Sequence, residues 1–307
     1  YLWLATDGGG INRLKLSNEK FSNFYHIAGD ENSLPVNSIT ILYEDDNGSL
    51  WAGSVRGGVF NIKESYIRTY KDSPLGYING LSEKSVTSFY EEPNGKLWIG
   101  TDGGGINLYD PQSGSFKHFP STYGDKVVSI APVSEKELMV SVYTKGIFLF
   151  EKHTGLYRPF LIKNDSINFR QCFYGYIPRA HRVTNDKIYI LSKDIWVYDI
   201  NNKKFSPIKT DKNYQLPTSV MAYSDERISL TMSGNKVFQI TNKNDSIKLL
   251  FQIDKKEVIT AVDYDGKNKI WVGTTAGMGY YNIKERKYFK IGSQLFSYIT
   301  ALHYALS

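Results

Sequence analysis

Apolar and polar positions alternate along several short stretches of the chain: SITILYED, SVTSFYEE, VVSIAPVS and VITAVDYD. A period of two marks a strand with one buried face, because successive side chains point to opposite sides. After each stretch comes a turn signal, then a more apolar stretch whose second position is usually large. Three copies of this second stretch are close to one another: LWLATDGGGIN at 2–12, LWAGSVRGGVFN at 50–61 and LWIGTDGGGIN at 97–107. A fourth, IWVGTTAGMGYYN, runs from 270 to 282, and weaker copies occupy 138–150, 188–200 and 228–240. Their second residues are Trp3, Trp51, Trp98, Met139, Tyr189, Ser229 and Trp271, a recurrence of 40 to 50 residues. That period suits propeller blades and is too long for ankyrin or leucine-rich repeats.

Each unit divides into four strands. The alternating run is the innermost. Asn47-Gly48 and Asn94-Gly95 then predict two-residue hairpins with positive φ at both positions. The Trp-bearing strand follows, then a Gly-rich turn, a third strand, a polar turn and a short aromatic outer strand such as FKHF or KYFK. The expectation is an all-β fold, a seven-bladed β-propeller of four-stranded antiparallel blades. YITALHYA at 298–305 reads as an inner strand with nothing after it, whereas residues 1–24 supply three strands lacking an inner one. Joined, they complete one blade and close the ring, leaving no free sheet edge. The blades fall at about 298–307 with 1–25, 37–71, 84–120, 126–161, 176–208, 217–252 and 257–291. Because the chain starts inside a repeat, residues 1–307 are expected to be a single propeller domain from a larger protein.

Composition narrows the chemistry. With 41% hydrophobic and 22% charged residues, the chain has globular character, and 23 Tyr and 16 Phe suit pleated strands. The net charge is +6, yet no run of Lys and Arg forms a nucleic-acid patch. Cys172 is the single cysteine, which excludes an intrachain disulfide and a cysteine-based metal centre. No apolar run reaches the roughly 18 residues of a membrane helix, and no signal peptide is evident.

The recurring Trp is expected to pack between blades. The TDGGG turns would be phosphate cradles only if a helix followed, and a strand follows instead. Asp7 and Asp102 are expected to bond turn amides, and a metal would need more oxygen ligands than they supply. His26, His118, His153, His181 and His303 show no paired metal-ligand spacing, and no nucleophile elbow is present. Neither a catalytic residue, nor a metal, nor a cofactor is expected.

Binding is then the open question. The Gly-rich turns and the long connections 26–37, 71–84 and 161–176 share one end of a propeller, and function concentrates on such loops. There Arg56 stands in for Asp in an otherwise matching turn, as do Tyr143 and Lys145 in blade four. Tyr77 and Asn79 lie on the second long connection, and Arg170, Tyr174 and Tyr176 on the third. Arg179 and Arg182 begin the next inner strand. Tyrosine rings stack on sugar faces and guanidinium groups bond hydroxyls, carboxylates or sulfates, so the set suits an oligosaccharide, with the basic balance leaning toward an acidic one. The same residues could instead fill the channel or meet a second propeller, which gives a structural or dimerising reading. A third reading is a propeller lyase of the streptogramin type, with similar Trp repeats. It would need a channel-mouth histidine beside carboxylates and a divalent metal. His181 is the one candidate, and Arg179 and Arg182 beside it would repel a metal.

LWIGTDGGGINLYDPQSGSFKHF, together with NSLPVNSITILYEDDNGSLWAG, resembles the two-component regulator propeller repeat. The resemblance is strongest in blades one to three, good in blade seven and weak in blades four to six. It implies the periplasmic sensor of a hybrid histidine kinase of gut Bacteroidetes that senses oligosaccharides and switches on polysaccharide-utilisation genes. It also implies a second propeller, an immunoglobulin-like domain, a membrane helix and a kinase elsewhere in the parent chain, and allows a homodimer.

Overall fold

A computed structural model describes residues 1–30, 32–63, 66–70, 80–120, 126–160, 179–182, 186–192, 194–208, 219–222, 229–241, 245–291 and 299–304. These form 28 strands in seven four-stranded antiparallel sheets. No helix occurs among the described residues, so none is long and apolar enough to cross a membrane. The expected seven-bladed propeller is therefore the fold.

Blade one shows the closure. Its inner strand β28 (Ile299–Tyr304) pairs with β1 (Leu2–Thr6), which continues to β2 (Ile11–Lys15) and β3 (Lys20–Phe24). The register sets Leu2 opposite Tyr304, Trp3 opposite His303 and Leu4 opposite Leu302. Blade two is β4 (Ile39–Glu44), β5 (Leu50–Ser54), β6 (Val59–Lys63) and β7 (Tyr66–Tyr70), in that order from the axis outward. Blade three repeats it with β8 (Val86–Glu91), β9 (Leu97–Thr101), β10 (Ile106–Asp110) and β11 (Ser115–Phe119).

The inner hairpins differ from the two-residue expectation. In blade two Asp45 N–H donates to Ser49 O at 3.0 Å and Gly48 N–H to Asp45 O at 2.8 Å. Only Gly48 (φ +74°) and its counterpart Gly95 (φ +80°) have positive φ, not Asn47 or Asn94. This is a three-residue loop, a type I turn closed by a left-handed glycine. The aspartate explains the choice: Asp45 Oδ1 accepts the amides of Asn47 and Ser49, which a type I turn aims at it.

The core is divided between blades. Seven apolar clusters each join one blade to the next. Trp51, Trp98, Met139, Tyr189 and Trp271 are all buried in them, each on the side facing the following blade. Burial of a whole indole contributes several kcal/mol per blade, on the order of 3 kcal/mol. Polar ties reinforce the contacts near the axis. Thr300 Oγ1 donates to Ile39 O at 2.6 Å, Thr40 Oγ1 to Val86 O at 2.9 Å, and Thr87 Oγ1 to Val127 O. In blades one to three the inner-strand threonine thus satisfies a carbonyl on the next blade's inner strand, an edge group that would otherwise lack a partner.

Candidate functional site

One end of the ring carries the Gly-rich turns. In blade one Thr6 donates both its amide and its hydroxyl to Gly10 O, at 3.1 and 3.0 Å. Ser54 with Gly58 and Thr101 with Gly105 repeat the pattern. The turn then serves as a seat for the connection entering the next blade: Gly10 N–H donates to Asn37 O at 2.9 Å and Gly58 N–H to Lys84 O at 2.8 Å. A Cβ on Gly104 would meet Ser82 Oγ at 2.5 Å and the Glu83 Cβ at 2.7 Å, so that position must be glycine for the connection to pass.

Asp7 and Asp102 do not bond the amides of their own turns. Each ties its turn to the next blade, Asp7 Oδ1 accepting the Ser38 hydroxyl at 2.5 Å and Asp102 Oδ2 pairing with Lys126 Nζ at 3.0 Å. Among the described residues no group of three His, Cys, Asp or Glu side chains could hold a metal ion.

The register also corrects the reading of Arg56. Val55 occupies the place of Asp7 and Asp102, and Arg56 that of the first glycine, Gly8 or Gly103. Arg56 accordingly adopts φ +63°, and Thr144 in the matching turn of blade four adopts φ +60°. Left-handed backbone costs a residue with a Cβ on the order of 1 kcal/mol. Arg56 is exposed, and its guanidinium makes no hydrogen bond or ion pair among the described residues. Tyr143, 42% exposed, takes the aspartate place in blade four, with Lys145 two residues on. These three share one end of the ring, two blades apart. Tyr77, Asn79, Arg170, Tyr174 and Tyr176 lie outside the described residues. Arg179 and Arg182 are the first and last residues of the inner strand Arg179–Arg182 of blade five, and their side chains are outside the description.

Of the histidines described, three have structural partners and His153 is exposed in a turn. His26 Nδ1 lies 2.7 Å from Leu34 O, and His118 Nε2 2.7 Å from Gly80 O. His303 Nε2 lies 2.8 Å from Glu44 Oε2, linking the closing strand to blade two. One strand position on, Tyr43 donates to Glu91 Oε2 at 2.8 Å between blades two and three. Burial, and secondarily that bond, push the Tyr43 phenol far above its ordinary pKa.

The opposite end holds a feature that the sequence reading missed. Between blades two and three lies a cavity of about 260 Å³. Asp45, Asn47 and Ser49 of the inner hairpin form one side, Tyr109 and Pro111 the other, and Trp51, Asn61, Arg68 and Tyr70 the back. The register marks what is particular to it. Asn61 is paired with Trp51, and the equivalent partner is Arg13 in blade one, Leu108 in blade three, Leu149 in blade four, Val197 in blade five, Ile240 in blade six and Tyr280 in blade seven. Asn61 is the one amide in this row. Aligning the repeats by their third strand would have flagged it.

Comparison with known proteins agrees with this architecture. Residues 33–56 and 80–103 match the two component regulator propeller family. Among solved structures, the chain is similar to the extracellular domain of BT4673 from B. thetaiotaomicron, described in one structure as a one component system and in another as a hybrid two component system, at 17% and 16% identity and TM-scores of 0.67 and 0.65, each covering 97% of this chain and 49% of that one. BT3049 of the same organism gives 19% identity and a TM-score of 0.57, covering 97% of this chain and 40% of that one. PorZ, a surface component of the type-IX secretion system of Porphyromonas gingivalis, gives 13% and 0.68, covering 95% and 38%. No curated protein sequence matches. At these identities the likeness is one of fold, and the chain spans about half the length of the BT4673 domain. The two matched stretches cover the inner strand and the Trp-bearing strand of blades two and three, and there the chain is similar to two-component regulator propeller repeats.

Proposed function

We propose that this propeller is the ligand-sensing unit of a hybrid two-component sensor, held in the periplasm as part of an inner-membrane protein. In this reading it binds an oligosaccharide, acidic ones included, and relays binding to a histidine kinase in the parent chain that controls polysaccharide utilisation. The observation that carries the reading is the pairing of two-component regulator repeats with a ring similar, along 97% of its length, to the extracellular domain of a protein named a hybrid two component system. The ligand face is the Gly-rich end, with Arg56, Tyr77, Asn79, Tyr143, Lys145, Arg170, Tyr174, Tyr176, Arg179 and Arg182 as contacts. Arg56 supports this choice, being strained in backbone, exposed and without a polar partner among the described residues. Strain retained at a surface turn points to a use for the side chain.

A second reading has its own support. Of the six large apolar residues exposed among those described, Tyr25, Ile27, Val55, Tyr143 and Val258 lie at the Gly-rich end. That distribution favours a face covered by a second propeller, an immunoglobulin-like domain or a second copy. Calorimetric titration of the chain against neutral and acidic oligosaccharides separates the two. Binding that Arg56→Ala or Arg170→Ala weakens at least tenfold supports sensing on this face. Absence of binding across the panel, with self-association or capture of the adjoining domain, supports the structural reading.

A further inference from the structure

We infer that the cavity between blades two and three is a ligand site for one hydroxyl-rich ring, a single carbohydrate residue; this rests on the sensing reading but moves recognition to the opposite end of the propeller. The argument starts from Asn61. It is 6% exposed, it lines the cavity, and its amide makes no hydrogen bond among the described residues. The same row holds Arg13, Leu108, Leu149, Val197, Ile240 and Tyr280 in the other blades, so an amide at this place is particular to blade two. An amide kept open toward a cavity is explained by an occupant that bonds it.

The other walls define that occupant. Arg68 projects from the outer strand, exposed, with its guanidinium 5.2 Å from the centre of the Tyr70 ring and no ion pair among the described residues. Asp45 offers the opposite character. Oδ1 is occupied by two turn amides, but Oδ2 accepts only the Trp51 indole N–H, at 2.8 Å. A carboxylate oxygen has two lone-pair sites, so Oδ2 retains one acceptor position. The base is aromatic: Trp51, Tyr70 and Tyr109 lie with ring centres 5.1 to 5.9 Å apart. A simple anion would leave the carboxylate facing it, a cation would meet the arginine, and an apolar molecule would strand both with the amide. Vicinal hydroxyls on a ring both donate and accept, and use all three groups. A cavity of about 260 Å³ has room for one sugar ring.

The test is titration of the intact chain with D-glucose, D-glucuronate and glycine, read by Trp fluorescence and by ligand-observed NMR. Asn61→Leu removes the amide at nearly equal length, places there the residue type of blade three and keeps the fold, which an unchanged or raised Tm verifies. The expected result is saturable binding of glucose or glucuronate, weakened at least tenfold by Asn61→Leu and by Arg68→Ala but not by Arg56→Ala. Sugar binding lost in Arg56→Ala and retained in Asn61→Leu overturns the cavity site and leaves the sensing reading intact. No binding of either sugar, or binding of glycine instead, overturns the assignment; if oligosaccharides also fail to bind, the sensing reading falls with it.

Discussion

The interface between blades three and four and that between blades seven and one are built from the same repeat and end differently. Trp98 and Trp271 occupy equivalent places and are equally buried, 1% and 2% exposed. Trp98 donates its indole N–H to Glu92 at 2.9 Å, and Glu92 also holds Lys152 of blade four at 2.6 Å. The Trp271 indole N–H has no partner among the described residues. An acid stands six residues upstream in both, but Asp265 spends Oδ1 on the amides of Lys267, Asn268 and Lys269. In blades two and three a left-handed glycine closes the hairpin, whereas in blade seven Asn268 stands at that place and the positive φ falls on Gly266. Asp45 of blade two does both, holding its own turn through Oδ1 and the Trp51 indole through Oδ2, so the difference in blade seven is that its turn leaves the acid out of reach of the indole.

The largest expected effect tests the shared part. Trp98→Ala should destabilise the ring by about 3–5 kcal/mol in urea unfolding, and Trp271→Ala by a similar amount, because both remove a buried indole. Glu92→Ala should come next, at about 3 kcal/mol, since it leaves Lys152 and the Trp98 N–H without their acceptor at a mostly buried contact. Trp271→Ala followed by a change at Asp265 should add no comparable loss. The pH dependence sharpens the contrast. Burial alone would raise the Glu92 carboxyl, but the bonds from Lys152 and Trp98 outweigh it and hold the pKa below the usual glutamate value. The stabilisation is then complete above the unfolded pKa, roughly 4.3, and fades as pH falls through the lower folded value. Glu92→Gln should flatten the acid limb of a stability–pH curve, and an unaltered limb would reject the assignment.

Smaller effects follow from the orphaned indole. Trp271→Phe deletes an unsatisfied buried donor, whereas Trp98→Phe deletes a satisfied one and strands Glu92. The second should cost about 1 kcal/mol more than the first. Smallest is Arg56→Gly, which restores the first glycine of the turn. Relief of left-handed strain, offset by the added freedom of glycine in the unfolded chain, leaves a gain of at most about 1 kcal/mol in thermal unfolding.

The fold was legible because a propeller writes each of its parts several times. Alternating runs located the inner strands, the Trp positions set the period, and the unmatched strands at the two ends predicted the closure seen between Leu2–Thr6 and Ile299–Tyr304. Finer details needed the register. Arg56 reads as the replacement for the aspartate of an otherwise matching turn, but the hydrogen-bonded rows put it one position later, on a glycine. The Asn-Gly pairs suggested a two-residue hairpin because sequence does not show that the preceding aspartate binds the turn from within. The cavity was invisible for a related reason: Asn61 is an ordinary strand residue until it is compared with Arg13, Leu108 and Tyr280 in the same row.

The closing strand has a kinetic consequence. Leu2 and Tyr304 are separated by almost the whole chain, and Thr300 reaches Ile39 across 261 residues. Contacts of such sequence separation form late, because the entropy of closing the intervening chain must be met before they stabilise anything. Blades two to seven are each local in sequence and can assemble in order. Until β28 docks, β1 presents an unpaired edge of apolar character, the kind of edge on which other chains add. The slowest folding step of this ring and its period of greatest exposure to aggregation should therefore be the same event.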